Sequence, residues 1–414
     1  MVIYSRPAQK LVIEALSDTP VVSILGPRQV GKSTLAKTVA PERLYITLDD
    51  QSLLKLALED GDGFIKSLPR FVVLDEVQRA PNLMLAIKKS IDEDRQPGRF
   101  LLTGSANLML MEQTQDSLAG RHEAIHLFPL TSHEIASKAP EKSFVSALLE
   151  GRFRAQVNAY QDTLAMLKEA VCIGGYPEPL SRTERRAHRW FNIYLEDVIN
   201  RDVKAIDDVR NPEALLKLLK LCATRTASIF EVNSLAKETQ IGVSTVKSYI
   251  HTLEKLFLLR TLPAWSTNRG KRLIKSPKIH MIDTGMICAI CRLTTNDWLV
   301  QADLFGHLIE SYAVQQVMAQ LSWRDDDVQC YHFRDQKKHE VDMVLERGTS
   351  VWGIEMKRAT IISDDDYKGL TVLSRTAGER WQGGVIFYGG EHILPTPIEN
   401  TFAVPYGALW DGVS

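Results

Sequence analysis

Long apolar runs are missing from this sequence. Nothing approaches the roughly 18 consecutive apolar residues that a membrane-spanning helix needs, and the amino-terminal stretch MVIYSRPAQK has no apolar signal-peptide centre. Both absences argue against a membrane protein and make the cytoplasm the expected location. Cysteine is scarce as well: five in 414 residues do not make a disulfide framework, in keeping with a reducing compartment. Cys288 and Cys291 form a single CxxC inside the apolar Met286-Ile287-Cys288-Ala289-Ile290-Cys291. With no second pair, core packing is expected there rather than a metal or redox site. An excess of charge is also lacking, since 50 Lys and Arg against 51 Asp and Glu leave a formal net charge of −1. That total excludes a uniformly basic chain but not local clusters, which have to be sought segment by segment.

What is present is a soluble, globular composition, with length for two to four domains at about 150 residues each. The chain is organised around Gly26-Pro27-Arg28-Gln29-Val30-Gly31-Lys32-Ser33-Thr34, which follows the apolar run Val21 to Leu25 and precedes a helical pattern. The spacing fits GxxxxGK[ST] in its required strand, loop, helix context. Gly26 and Gly31 let successive N–H groups line up on an anion, and the helix adds the positive end of its dipole. Lys32 then reaches the β- and γ-phosphates, and the Ser33 hydroxyl ligates Mg²⁺. ATP and Mg²⁺ are the expected cofactors.

Strand-like runs at Val21–Leu25, Leu44–Leu48, Phe71–Leu74, Phe100–Thr103 and Ala124–Leu127 alternate with helical stretches, which predicts a parallel sheet covered on both faces. Chemistry in such sheets gathers at the carboxyl ends of the strands. One run ends in Leu74-Asp75-Glu76, a Walker B pattern in which Asp75 holds Mg²⁺ and Glu76 polarises the attacking water. The Leu44–Leu48 run, between the two motifs, matches the additional-strand class of ATPases rather than the Ras-like class. Leu101-Leu102-Thr103-Gly104-Ser105-Ala106-Asn107 resembles a sensor 1 segment, with Ser105 and Asn107 as candidates. In Leu118-Ala119-Gly120-Arg121, Arg121 is either an arginine finger, in cis or in trans, or an ordinary ion pair. Gly174-Gly175-Tyr176-Pro177-Glu178 resembles the lid motif of STAND ATPases, which implies that Pro177 approaches the adenine; otherwise it is a turn. Together these segments resemble the prokaryotic AAA-type ATPases that carry a carboxy-terminal domain of unknown function.

Beyond the lid, helical patterns at about 213–223, 232–238 and 243–256, then strand-like runs at Leu256–Leu262 and Lys278–Ile282, read as a winged helix-turn-helix. Its third helix carries Lys247. The stretch after it contains Arg260, Arg269, Lys271, Arg272, Lys275 and Lys278 without an acidic residue, and Trp265 near the tip. This is the expected basic wing, with DNA as the expected partner and protein contact as the alternative. Farther on, Asp342 and Glu355 fall on two strands joined around Gly348, and Glu355 and Lys357 share a face by the two-residue strand period. This resembles the PD-(D/E)XK nuclease core, which implies a Mg²⁺ site at Asp342 and Glu355 with Glu310 assisting, and Lys357 orienting the water. The proline usual before the first acid is absent.

The expected organisation is therefore α/β: a P-loop NTPase parallel sheet (1–136), a helical lid (137–205), a winged helix (206–285) and an endonuclease-like α/β domain (286–414). The expected function is ATP hydrolysis coupled to a DNA-contacting module and a nuclease-like domain. The alternatives are an ATP-gated regulatory module with an inactive nuclease fold, or a transcription regulator. A protein partner or a homo-oligomer is compatible with either.

Overall fold

Five short runs of mostly buried residues, each followed by a helix or a turn, build the amino-terminal sheet. A computed structural model of the protein describes residues 3–105, 118, 120–203 and 209–413. Strands β1 (Val21–Leu25), β2 (Leu44–Thr47), β3 (Val72–Asp75), β4 (Phe100–Gly104) and β5 (His122–His126) form one sheet in the order β2-β3-β4-β1-β5. All its pairings are parallel. β1, β3 and β4 are buried along their whole length, as expected of strands covered on both faces.

The strand that separates the phosphate-loop strand from the acidic strand is β4. The Leu44 run, expected between them, stands at the sheet edge beside β3. Position in the chain and position in the sheet differ because crossovers can skip a neighbour, so the additional-strand feature belongs to Phe100–Gly104.

Residues 137–203 are helical, with Phe144–Leu149, Thr163–Ile173 and Glu184–Asp197 as the main elements. The expected boundary at 205/206 lies outside the described residues. Next come helices Pro212–Thr224, Val232–Thr239 and Val243–Lys255, and a small antiparallel sheet of β6 (Ser228–Ile229), β7 (Leu259–Leu262) and β8 (Lys278–Met281), with β8 in the middle. Helix Thr284–Cys291 then packs against the lid helix Glu184–Asp197. Cys288 is fully buried there, and all five cysteines are free.

The carboxy-terminal unit begins with the twenty-residue helix Ala302–Leu321. Its sheet contains β9 (Gln329–Arg334), β10 (Glu340–Arg347), β11 (Ser350–Met356), β12 (Trp381–Tyr388), β13 (Leu394–Pro395) and β14 (Thr401–Pro405), ordered β13-β14-β12-β11-β10-β9. β10 and β11 form the expected antiparallel hairpin, while β11 runs parallel to β12. No helix among the described residues is long and apolar enough to cross a membrane.

Candidate functional site

The phosphate loop is shaped by close packing. Gly26 passes so near β5 that a Cβ there would lie 2.1 Å from the Leu127 carbonyl oxygen, so no other residue fits without moving the strand. Gly31 ends the loop at φ +102° and opens helix Lys32–Val39. Lys32 is buried, and its ammonium donates to the carbonyls of Gly26 (3.0 Å) and Pro27 (2.8 Å). It is thus folded back on the loop that it serves.

Asp75, at the end of β3, accepts from the hydroxyls of Ser33 (3.0 Å) and Tyr45 (2.5 Å), and it pairs with the Thr103 hydroxyl. Burial, reinforced by Asp75, raises the Tyr45 hydroxyl above its ordinary range, so Tyr45 remains a proton donor. A hydroxyl and a carboxylate brought together in this way fit Mg²⁺, and Ser33 and Asp75 would hold it.

Glu76 follows in the left-handed region, at φ +59°. Its carboxylate meets the Gln78 amide and accepts from the Ser105 hydroxyl at 3.0 Å, while Gln78 also donates to Ser105 at 2.8 Å. The acidic strand and the sensor-like strand therefore meet in a three-residue polar network. Gln78, Tyr45 and Thr103 carry no motif of their own in the sequence; Gln78, two residues beyond Glu76, has the nearest cue. Asn107 lies outside the described residues.

Arg121 needs a correction. It precedes β5, and its carbonyl accepts from Val21 at the start of β1, whereas the phosphate loop leaves the other end of β1. Five strand residues separate the two ends by roughly 16 Å. Its guanidinium pairs with Asp92 at 2.7 Å. Arg121 is therefore not a finger for its own phosphate loop.

A cavity of about 320 Å³ adjoins the loop, lined by Ile3, Tyr4, Val30, Gly31, Thr34, Leu130 and Pro177 among others. Pro177 thus shares this cavity with the start of the phosphate-loop helix. The loop carrying it is clamped twice. Gly175 accepts from Leu130 N–H at 2.7 Å, and Gly175 N–H donates to Asp283 at 2.7 Å. A Cβ on Gly175 would sit 2.2 Å from the Leu130 carbonyl oxygen. Asp283 is fully buried at the end of β8; burial raises its carboxyl to about 6, against the pull of three backbone N–H donors. Tyr176 meets Tyr194 at 3.1 Å, and Tyr194 reaches the Arg28 carbonyl at 3.4 Å. Arg28 and Gln29 line a second cavity of about 540 Å³ with Arg182, Arg185, Arg186 and Arg189, which adds positive potential beside the loop.

The expected basic wing is largely occupied. Trp265 is buried and donates to Glu346 at 2.8 Å. Arg272 makes a two-pronged pair with the same carboxylate at 2.8 and 2.9 Å, its side chain only 9% exposed. Arg260 is half-buried with its guanidinium over the Phe128 ring, and Lys278 is 1% exposed. The segment itself lacks acids, so the carboxylates that meet Arg272 and Lys278 come from the long helix and the sheet of the carboxy-terminal unit, which local sequence could not reveal. Arg269, Lys271, Lys275 and Lys247 are exposed.

The carboxy-terminal positions do converge. Asp342 accepts from Met356 N–H at 2.9 Å, one residue beyond Glu355. Lys357 pairs with Glu355 at 2.9 Å, and Glu310 comes in from the long helix. The ammonium of Lys278 enters from β8 and contacts Glu310 (2.7 Å), Glu340 (2.6 Å) and Asp342 (3.3 Å). Among the described residues, no three His, Cys, Asp or Glu side chains are placed to hold a metal ion. In this arrangement the carboxylates do not fit one.

Residues 18–136 match the family described as an AAA domain. Residues 164–297 and 305–409 match two domains of unknown function (DUF8612 and DUF4143). Uncharacterized proteins of Mycobacterium tuberculosis and Mycobacterium bovis are each 28% identical over 411 residues, covering 98% of this chain and 84% of theirs. Similar solved structures include a Walker-type ATPase of Pyrococcus abyssi (TM-score 0.42, 15% identity, 70% of this chain and 96% of that one). Another is a RuvB variant of Thermotoga maritima (TM-score 0.29, 20% identity, 62% and 87%). The parallel sheet, the phosphate loop and the AAA-domain match over residues 18–136 together support an AAA-type P-loop ATPase fold for the amino-terminal unit.

Proposed function

We propose that this protein binds and hydrolyses ATP with Mg²⁺ and uses its nucleotide state to move a DNA-contacting winged-helix module. In this reading Lys32 leaves the carbonyls of Gly26 and Pro27 for the phosphates; Ser33 and Asp75 would hold Mg²⁺, which would supply neutralising charge there. Glu76, positioned by Gln78 and Ser105, orients and deprotonates the attacking water. The observation that carries the coupling is the loop around Gly175. One end of it lines the cavity beside the phosphate loop through Pro177, and its middle is held by Asp283 at the end of β8. A nucleotide that moved Pro177 would pull on β8.

The order helix, short strand, two helices, then two antiparallel strands joined through the short helix Arg269–Ile274 supports the winged-helix reading, and exposure of Lys247, Arg269, Lys271 and Lys275 supports a phosphate-binding face. With four basic residues rather than six, duplex binding should fall about 10²-fold between 50 and 200 mM salt. It should also differ between ATP and no nucleotide. Fluorescence anisotropy on the full chain measures both. Absence of salt-dependent DNA binding in every nucleotide state would reassign the module to protein contact. For the carboxy-terminal domain the best reading is an endonuclease-like fold serving as a scaffold, favoured by the Lys278 ion pairs.

A further inference from the structure

We propose that Lys278 is the resident cation of the carboxy-terminal acidic centre: its ammonium stands where an endonuclease-like site would take a divalent metal, and removing it creates a divalent-cation site. The inference rests on the scaffold reading of that domain and is independent of the nucleotide site.

An ammonium has three N–H donors, and three carboxylates stand within 2.6–3.3 Å of this one, on Glu340, Glu310 and Asp342. Burying a lysine costs several kcal/mol unless opposite charge surrounds it, and here the Lys278 side chain is 2% exposed. The placement is built in from behind. Lys278 lies on the middle strand of its small sheet, paired with Ile229 on one side and Leu262 on the other. Withdrawing the ammonium would therefore mean shifting the strand or uncoiling a buried side chain. A metal bound beside it would place two cations together in a site of low dielectric.

A second, independent observation shows that the centre retains unused capacity. Among the described residues, Glu355 Oε2 is a buried polar atom with no hydrogen-bond partner. The Tyr406 hydroxyl feels the charges of Asp342, Glu355 and Glu310. Four carboxylates (Glu310, Glu340, Asp342, Glu355) face two lysines (Lys278, Lys357). Without the Lys278 ammonium the cluster offers room, charge and a spare carboxylate oxygen: a hard-oxygen set of the kind that Mg²⁺ and Mn²⁺ prefer.

The test is Mn²⁺ binding to the full chain without nucleotide, followed by electron paramagnetic resonance. Four proteins are compared: wild type, Asp342→Asn, Lys278→Met, and the double variant. The expected result is no Asp342-dependent site in wild type. Lys278→Met should gain one Asp342-dependent site per chain, and that site should vanish in the double variant. An Asp342-dependent Mn²⁺ site in wild type overturns the proposal, as does a folded Lys278→Met that gains none. If Lys278→Met fails to fold, wild type against Asp342→Asn still decides. Cleavage of duplex DNA, single-stranded DNA or RNA by wild type would instead overturn the scaffold reading, so the two failures are distinguishable.

Discussion

Two buried acidic centres stand on β-strands of this chain, and their surroundings are of opposite kinds. Asp75 is held by hydroxyls from Ser33, Tyr45 and Thr103, whereas Asp342 shares a lysine ammonium with Glu310 and Glu340. Hydroxyls satisfy a carboxylate without cancelling its charge, and they can turn or exchange for a metal-bound water. An ammonium offsets part of the charge and fills the space between the carboxylates. The same residue type, comparably buried at 6% and 8% exposure, is therefore available to a metal in one place and already paired with a cation in the other. Sequence motifs name the acids, but the groups around them decide what the acids can do.

The largest effect is expected at the open centre. Glu76→Gln should keep nucleotide binding and lower ATP turnover by about 10²- to 10⁴-fold, the usual worth of a positioned base. Steady-state phosphate release with a parallel binding titration measures this, and undiminished turnover would remove Glu76 from its role.

A third carboxylate extends the comparison to stability. Burial opposes ionisation of Glu346, but hydrogen bonds from Arg272, Trp265 and Arg380 overcome it and hold the carboxyl at about 2. Its value in the folded state lies below its unfolded value, so the contribution is complete above about pH 4.5 and is lost as pH falls toward 2. It is worth at most about 3 kcal/mol. Glu346→Gln should destabilise by about that amount at pH 7 and by clearly less at pH 3. Urea unfolding at the two pH values reads the difference, and an equal cost at both would contradict the ionic account.

The smallest effect is expected at the surface pair of Arg121 and Asp92, whose side chains are 28% and 45% exposed. Arg121→Ala should cost less than about 1 kcal/mol and leave the turnover of dilute, monomeric protein within about threefold of wild type. A drop of 10² confined to concentrated, self-associated protein would mark Arg121 as a finger presented to a second copy.

Much of the architecture was legible because it is local. The amino-terminal strands fall within a residue or two of their apolar runs, and the phosphate loop, the Walker B end and the Asp342, Glu355 and Lys357 cluster follow from spacing and the two-residue strand period. What escaped is what the fold brings from afar. Lys278 and Arg272 read as wing charges because the stretch from Arg260 to Lys278 contains no acid; their partners Glu310 and Glu346 lie 32 and 74 residues away. Trp265, expected at an exposed tip, is buried for the same reason. Asp283 carries no motif, and its tie to Gly175 spans 108 residues. The additional strand was misplaced because chain order does not give sheet order.

That tie bears on how the chain can be cut. A fragment ending near residue 205 would leave the Gly175 N–H without its acceptor, and one ending near 285 would retain Lys278 as a buried cation stripped of Glu310, Glu340 and Asp342. Either cut runs between elements that look separable on paper yet exchange charges and hydrogen bonds across it. The units are interlocked in the manner of dovetail joints, so their individual properties are best probed by point substitution in the intact polypeptide rather than by dissection.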